Sequence, residues 1–508
     1  MNPTSMKPDR ILLPFLVIAS LALAPAACAQ GSELEELKAA VKAMQKTIAD
    51  QNAKLSEQSA RIATLEKQQQ SGTKQKPGTK NAAPVSDRSV TVAGMNVPVA
   101  ELPAAAMPTA RTPVRDADTF LDQQNAAPRA NNAPLDPKLK GFIPIPGTDT
   151  MFKIGGSARV DLIGDLSNNG NPNQFVPSTI PVPGESGWDG GERTALHAKG
   201  TRLSLELRRP VPWDGTLRIY TEYDFFDDST SNSMKFRARH FYGQAWNFLI
   251  GQTYSAFQDI DAFPDVVDYQ GPNAIVNRRQ PQIRYTLPLY DREKTKFQLF
   301  ASIEQPDGKI DTSTLDFDGS TSSLNHTPDG IAGFRFEGTL GHVQAAGLFR
   351  ELSFETDNGP SEDTFGWGVT LAGALNLFEK DKLSAQVTYG EGVARYINDL
   401  SGENLDAALD GGRLEAIPVF AVMAGYTHHW NDHWRSTISG GYVKVDAPTV
   451  LDRFTIDNTI YASANLMWHP TTSFRMGLEY LYGRKETIDG SERDAHRLDF
   501  VVRYDLVR

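Results

Sequence analysis

The 508-residue chain sets 51 Lys and Arg against 62 Asp and Glu, a formal charge of −11 with a pI near 5.4, which argues against a nucleic-acid binder. A single cysteine excludes a disulfide framework and a cysteine-based zinc site. Apolar residues make up 40%, mean hydropathy is −0.39, and the one long apolar run lies at the extreme N-terminus, so no transmembrane helix is expected after it.

That run has the form of an export signal. Lys7 and Arg10 precede the apolar stretch from Ile11 to Ala24, which is too short to span a bilayer comfortably. Ala27-Cys28-Ala29 then offers small residues where signal peptidase reads them. Cleavage after Ala29 removes residues 1–29 and the only cysteine, which suits an oxidising compartment. Lipidation at Cys28 is the competing reading, with Pro25 standing where such signals usually carry Leu.

Residues 30–70 are expected to form a self-associating α-helical coiled coil. Leu34, Val41, Ile48, Leu55 and Ile62 occupy the a positions, and Leu37, Met44, Gln51, Gln58 and Leu65 the d positions. A lone helix of this kind cannot bury its stripe, so it calls for copies of itself; the rod would reach roughly 50 Å. Residues 71–140 carry nine prolines from Pro77 to Pro137 and hold no helical or strand period, as expected of a flexible linker.

From residue 141 to 508 the pattern changes to a period of two. Leu203, Leu205 and Leu207 alternate with Arg202, Ser204, Glu206 and Arg208; Leu498, Phe500, Val502 and Tyr504 alternate with Arg497, Asp499, Arg503 and Asp505. Sixteen such segments begin near residues 151, 196, 216, 234, 247, 278, 295, 329, 342, 364, 383, 416, 434, 458, 474 and 494. Short connections such as 210–215, 244–246 and 290–294 separate them from long ones at 166–195, 255–277, 305–328 and 391–414. Short turns at one end and long loops at the other predict an all-β transmembrane barrel of 16 antiparallel strands in a Gram-negative outer membrane. Trp246, Tyr285, Trp367, Trp430, Trp434, Trp468 and Tyr504 fall near strand ends, where interfacial girdles lie. An even strand count returns both ends to the periplasmic side, and half of every strand is expected to face a watery lumen.

Two stretches resemble the DcaP-like trimeric outer-membrane porins. One is Gly141-Phe-Ile-Pro-Ile-Pro-Gly147 leading into Phe152-Lys-Ile-Gly-Gly156. The other is Gly251-Gln-Thr-Tyr-Ser-Ala-Phe257 leading to Pro264 and Gly271-Pro272. The order of signal, coiled coil, spacer and barrel is similar to that family as well. The resemblance implies a homotrimer, with residues 30–70 as its periplasmic trimeric coiled coil, and uptake of small, preferably anionic organic solutes such as dicarboxylates.

Selection in such a channel would sit where charge narrows it. Arg159, Arg202, Arg218, Lys235, Arg237, Arg239 and Arg284 fall on polar strand faces and are expected to line the pore. Lys235, Arg237 and Arg239, spaced by two, would point one way. The loop 255–277 carries Asp259, Asp261, Asp265 and Asp268, with Pro264 and Gly271-Pro272 to bend it inward. A basic ladder facing this acidic constriction loop would set a transverse field, and arginine also grips carboxylates with two parallel bonds. The bland reading makes these bases rim charges meeting lipopolysaccharide, or cross-strand partners of Glu206, Glu222 and Asp224. Asp316-Phe-Asp318-Gly319 lacks the distal Glu of a calcium loop, and His428, His429 and His433 lie at a turn beside Trp430 and Trp434, so no metal or other cofactor is expected. No Ser-His-Asp pattern or phosphate loop points to an enzyme. A solute channel is the leading expectation; a non-specific or sugar-conducting porin, and an envelope tether whose coiled coil binds peptidoglycan, are the alternatives.

Overall fold

A computed structural model describes residues 141–506, apart from 214, 227–232, 293, 314–320, 325, 357–360 and 379. The expected signal, coiled coil and linker lie outside the described residues. The wall is built from β1 (Met151–Asp165), β2 (Arg202–Val211), β3 (Gly215–Asp224), β4 (Arg237–Ala245), β5 (Phe248–Tyr254), β6 (Arg279–Arg292), β7 (Thr295–Glu304) and β8 (Asp329–Gly338). It continues through β9 (Gly341–Thr356), β10 (Ser361–Leu377), β11 (Asp381–Glu391), β12 (Pro418–His429), β13 (Trp434–Val445), β14 (Ile456–Trp468), β15 (Phe474–Thr487) and β16 (Glu492–Asp505).

Each strand pairs antiparallel with the next. β16 then returns to β1, from Ser157↔Asp505 to Asp165↔Arg497, so the sheet closes as a 16-stranded barrel with no free edge. Strand starts lie within three residues of those read from the pattern, with one exception. The segment expected near 196 comes in two pieces. Arg193–His197 pairs with the outer half of β1 and β2 with its inner half, so the wall is interrupted at 198–201.

Turns at one end are short: 212–214, 246–247, 293–294, 339–340, 378–380, 430–433 and 469–473. Trp213, Trp246 and Phe378 occupy three of them with φ of 59°, 49° and 44°, a left-handed backbone that bulky residues seldom adopt. The indole of Trp246 donates to Pro212 O at 3.1 Å, and its ring lies 5.5 Å from that of Trp213. The outer face carries Val160, Leu162, Leu205, Phe334, Leu371 and Leu478, all exposed to the surroundings of the chain, as lipid-facing residues must be.

The interior is less watery than alternation alone suggests. Three long loops fold into it: the first (166–192), the third (255–278) and the sixth (392–417). Phe257, Ile260, Phe263, Ile275 and Val276 of the third loop pack against Val393, Tyr396, Ile397 and Leu400 of the sixth. The wall meets them with Leu348 of β9, Val419, Ala421 and Met423 of β12, and Val443 and Val445 of β13. Each large side chain buried in this way contributes about 1.5–3 kcal/mol, enough together to hold the loops inside. Two wall glycines make room. A Cβ on Gly425 would stand 2.6 Å from Pro264 Cβ, and one on Gly441 would stand 2.2 Å from Asn273 Oδ1.

Candidate functional site in the barrel lumen

With one side of the lumen filled by loops, the inner face of β2–β6 carries the charge. Arg202, Arg208, Arg218, Arg237, Arg239, Arg279 and Arg284 stand among Glu206, Glu222 and Asp224 there, seven cations to three anions and a net of +4 among the described residues. Most are paired across strands. Arg218 meets Glu206 at 3.0 Å and donates to Tyr242 Oη at 2.5 Å. Arg239 donates to Glu222 at 2.8 Å and to Asp224 at 2.9 Å, Arg237 takes Asp224 with two bonds of 2.8 and 2.9 Å, and Arg202 lies 3.6 Å from Glu222. Arg159 of β1 grips Asp161 at 2.6 and 2.8 Å and reaches Val267 O of the third loop at 2.8 Å.

Arg279 and Arg284 differ: neither has an ion pair with a carboxylate among the described residues. Arg284 donates to Gln282 Oε1 at 2.9 Å and Tyr254 O at 2.5 Å, and Arg279 lies 5.7 Å from the centre of the Tyr254 ring.

The expected ladder is corrected at its first rung. β4 begins at Arg237, so Lys235 lies in the loop before it and is exposed. The even spacing 235, 237, 239 therefore does not give three bases on one strand face. A second irregularity lies at Arg239. Glu222 pairs with His240 and Tyr223 with Ala238, so the register slips and both Arg239 and His240 turn inward. His240 bonds Thr253 Oγ1 at 3.0 Å through Nδ1. The polar doublet Arg239-His240 before Phe241 is the local trace of this bulge in the sequence.

The third loop starts directly after β5, where expected, but its acids do not face the basic wall. Asp259 is held by Arg335 of β8 and His342 of β9, each at 2.8 Å, and Asp261 by Arg335 at 2.7 Å. Asp265 pairs with Arg435 of β13 at 2.6 Å, and Asp268 lies 3.9 Å from Arg497 of β16. These acids are anchors on the far walls. Burial raises the Asp259 carboxyl, but its interactions with His342 and Arg335 outweigh that and bring the group down to about 2. For Asp268 burial wins over Arg497 and three backbone N–H groups, and its carboxyl is pushed up. Glu479 of β15 completes the anchorage by accepting the N–H of Val267 at 2.9 Å and of Asp268 at 2.7 Å.

The loops also bind one another. Asp399 of the sixth loop accepts Ser178 N of the first at 3.0 Å and Thr459 Oγ1 of β14 at 2.5 Å; burial pushes its carboxyl up to about 6 against those bonds. Asn398 donates to Gln270 O and Pro272 O, each at 3.0 Å.

Aromatics also stand on the inner face, away from the strand-end girdles expected from the sequence. Tyr220, Tyr242, Tyr254, Tyr269 and Phe226 are all buried inside. Among the described residues no group of three or more His, Asp or Glu is arranged to hold a metal ion. His428 bonds Asp381 at 2.8 Å and the His429 N–H donates to the same carboxylate at 3.0 Å.

The family model described as DcaP outer membrane protein matches residues 119–506. The crystal structure of the outer membrane channel DcaP of Acinetobacter baumannii aligns with a TM-score of 0.61 at 24% identity, covering 72% of this chain and 100% of that one. OmpT, an outer membrane protein of Vibrio cholerae, aligns at 0.45 with 13% identity over 71% of this chain and 99% of its own. The anion-selective porin from Comamonas acidovorans aligns at 0.46 with 10% identity, over 70% and 100%. No curated protein matches the chain by sequence.

Proposed function

From the premise that the chain belongs to the DcaP outer membrane protein family, a family of Gram-negative outer-membrane channels, we propose that it conducts small, preferably anionic organic solutes by diffusion, dicarboxylates among them. The observation that carries this reading is the surplus of arginine on β2–β6, and within it the two arginines, Arg279 and Arg284, that form no ion pair with a carboxylate among the described residues. Charges balanced by neighbours largely cancel beyond a few ångströms. Unbalanced ones act over a Debye length, about 8–10 Å at physiological salt. An anion in the lumen thus meets a positive wall although the whole chain is acidic. Guanidinium groups also offer paired donors to a carboxylate. Arg159, Arg202, Arg218, Arg237 and Arg239 serve as the framework of that wall, and the aspartates of the third loop serve to fix the constriction.

A sugar-conducting lumen needs open aromatic faces along the path. The inner tyrosines are instead covered by guanidinium groups: Arg218 lies 4.9 Å from the Tyr220 ring and Arg279 lies over Tyr254. That favours anions over sugars. In this reading the protein works as a homotrimer, with residues 30–70 as its periplasmic coiled coil near peptidoglycan, and it has no catalytic role.

The test is the reversal potential of the purified protein in a planar bilayer under a salt gradient. The wild type should prefer anions, and Arg279→Gln with Arg284→Gln should lower that preference without changing the fold. A cation-preferring wild type, or a double variant with an unaltered reversal potential, would sink the proposal.

A further inference from the structure

Tyr269 of the third loop occupies an unusual position. Its ring centre lies 5.2 Å from the guanidinium carbon of Arg159, 5.5 Å from that of Arg202 and 5.6 Å from that of Arg239, three residues from β1, β2 and β4. Its other neighbour is Phe226 of the second loop (225–236, between β3 and β4), stacked at 4.6 Å and 10°. Phe226 in turn lies 5.3 Å from the guanidinium of Arg237. The Tyr269 hydroxyl donates to Asp224 at 2.6 Å and accepts from Arg239 at 2.8 Å. Two aromatic rings are thus inserted among four arginines, and each ring–guanidinium contact is within the distance at which the ring quadrupole attracts a cation.

Elsewhere the third loop is held by its acids to β8, β9, β13 and β16 and by apolar packing to β12 and β13. Tyr269 reaches in the other direction, to the basic wall. It also decides what that wall shows. The side chain of Arg237, at the margin of the stack, is 34% exposed, whereas those of Arg239 and Arg159 beside Tyr269 are 2% exposed.

We propose that Tyr269 is the residue that sets the width and the charge of the path at this level, by latching the third loop onto the basic wall and covering Arg159, Arg202 and Arg239. The idea rests on the anion-channel reading for its selectivity arm and stands apart from it for its conductance arm. Without the ring, the loop loses its aromatic contact with four arginines that share three carboxylates, Asp161, Glu222 and Asp224, a local net of +1, and keeps the bond from Arg159 to Val267 O. Space opens beside that positive group.

Tyr269→Ala should therefore raise single-channel conductance, and should raise the anion-over-cation permeability ratio by roughly twofold, because uncovered charge lies within a Debye length of the path. General loosening of the loop on its acidic anchors would move the ratio the opposite way. Tyr269→Phe keeps the ring over the guanidinium groups and should stay close to wild type. Phe226→Ala removes the stack from the second-loop side and should shift both quantities in the same direction as Tyr269→Ala; it supplies the answer if Tyr269→Ala gives no heat-modifiable barrel. Unchanged conductance in a folded Tyr269→Ala barrel, or a shift toward cations, would overturn the proposal, as would Tyr269→Phe behaving like Tyr269→Ala. A wild type without anion preference would instead remove the anion-channel reading, and the conductance of the Ala and Phe variants would still decide for or against the latch.

Discussion

On β3 and β4 the inward residues are Arg218, Tyr220, Glu222, Asp224, Arg237, Arg239, His240 and Tyr242; on β12 and β13 they include Val419, Ala421, Met423, Val443 and Val445. Both pairs of strands belong to one barrel and face one lumen. The first pair keeps its polar groups because cross-strand partners satisfy them. The second is apolar inward at these positions, as a strand is when protein covers what water otherwise would. The covering protein is the chain's own third and sixth loops. The lumen is therefore asymmetric: one side is a hydrophobic core displaced into a channel, and the other is left for solutes.

The sharpest way to break this contrast is to remove the filling. Replacing 255–277 by a short Gly-Ser link should raise single-channel conductance severalfold and reduce thermal stability, since apolar wall residues of β12 and β13 become wet. Unchanged conductance in a folded barrel would mean the loop does not limit the path. A smaller effect is expected on the acidic anchor. Arg335→Gln removes the guanidinium that the buried Asp259 shares with Asp261, and breaking a buried pair of this kind costs about 3–5 kcal/mol. The midpoint of heat-induced unfolding should fall and selectivity should move toward cations. A wild-type midpoint would show that the apolar packing alone holds the loop.

Gly441→Val tests the fit of loop to wall. Its side chain would enter the space of Asn273, and overpacking costs about 1–3 kcal/mol. The same change at Gly440, on the outward face of β13, should cost less; equal losses would argue against close packing at Gly441.

The mildest expectation concerns pH. The Asp399 carboxyl, raised to about 6 from an ordinary value near 3.8, binds its proton more tightly in the folded loops than in unfolded chain. The stabilisation from that proton is lost as pH rises through about 6 and is gained as pH falls toward 4. The contact between the first and sixth loops should tighten on going from pH 7 to pH 5, read as slower hydrogen exchange in 176–180. Asp399→Asn should remove that dependence; a dependence that survives the substitution would assign it to another group.

How much of this was legible follows from which interactions are local. Period-two alternation and the lengths of connections are properties of neighbouring residues, and they located the barrel, its closure and the third loop. The bulge was harder, because it is visible only as Arg239-His240 in a strand otherwise alternating. The run Pro418 to Gly425 is apolar at nearly every position, the pattern of a strand covered on both faces, and it is the local signal against the expectation of a watery lumen there. The partners of Asp259, Asp261, Asp265 and Asp268 were beyond local reading. They come from strands far along the chain, and nothing near an aspartate says which arginine will meet it.

The same distances bear on how the barrel can be made. Asp265 binds Arg435 across 170 residues of chain, and the N–H groups of Val267 and Asp268 bind Glu479 across 212 and 211. The strands that hold Asp265, Val267 and Asp268 are thus among the last in the chain, and Asp268 also lies beside Arg497 in the strand that seals the seam with β1. Those anchors can form only once β13 to β16 are in the wall, so this end of the loop reaches its final position no earlier than the last quarter of the barrel, and its docking is coupled to contacts of high sequence separation.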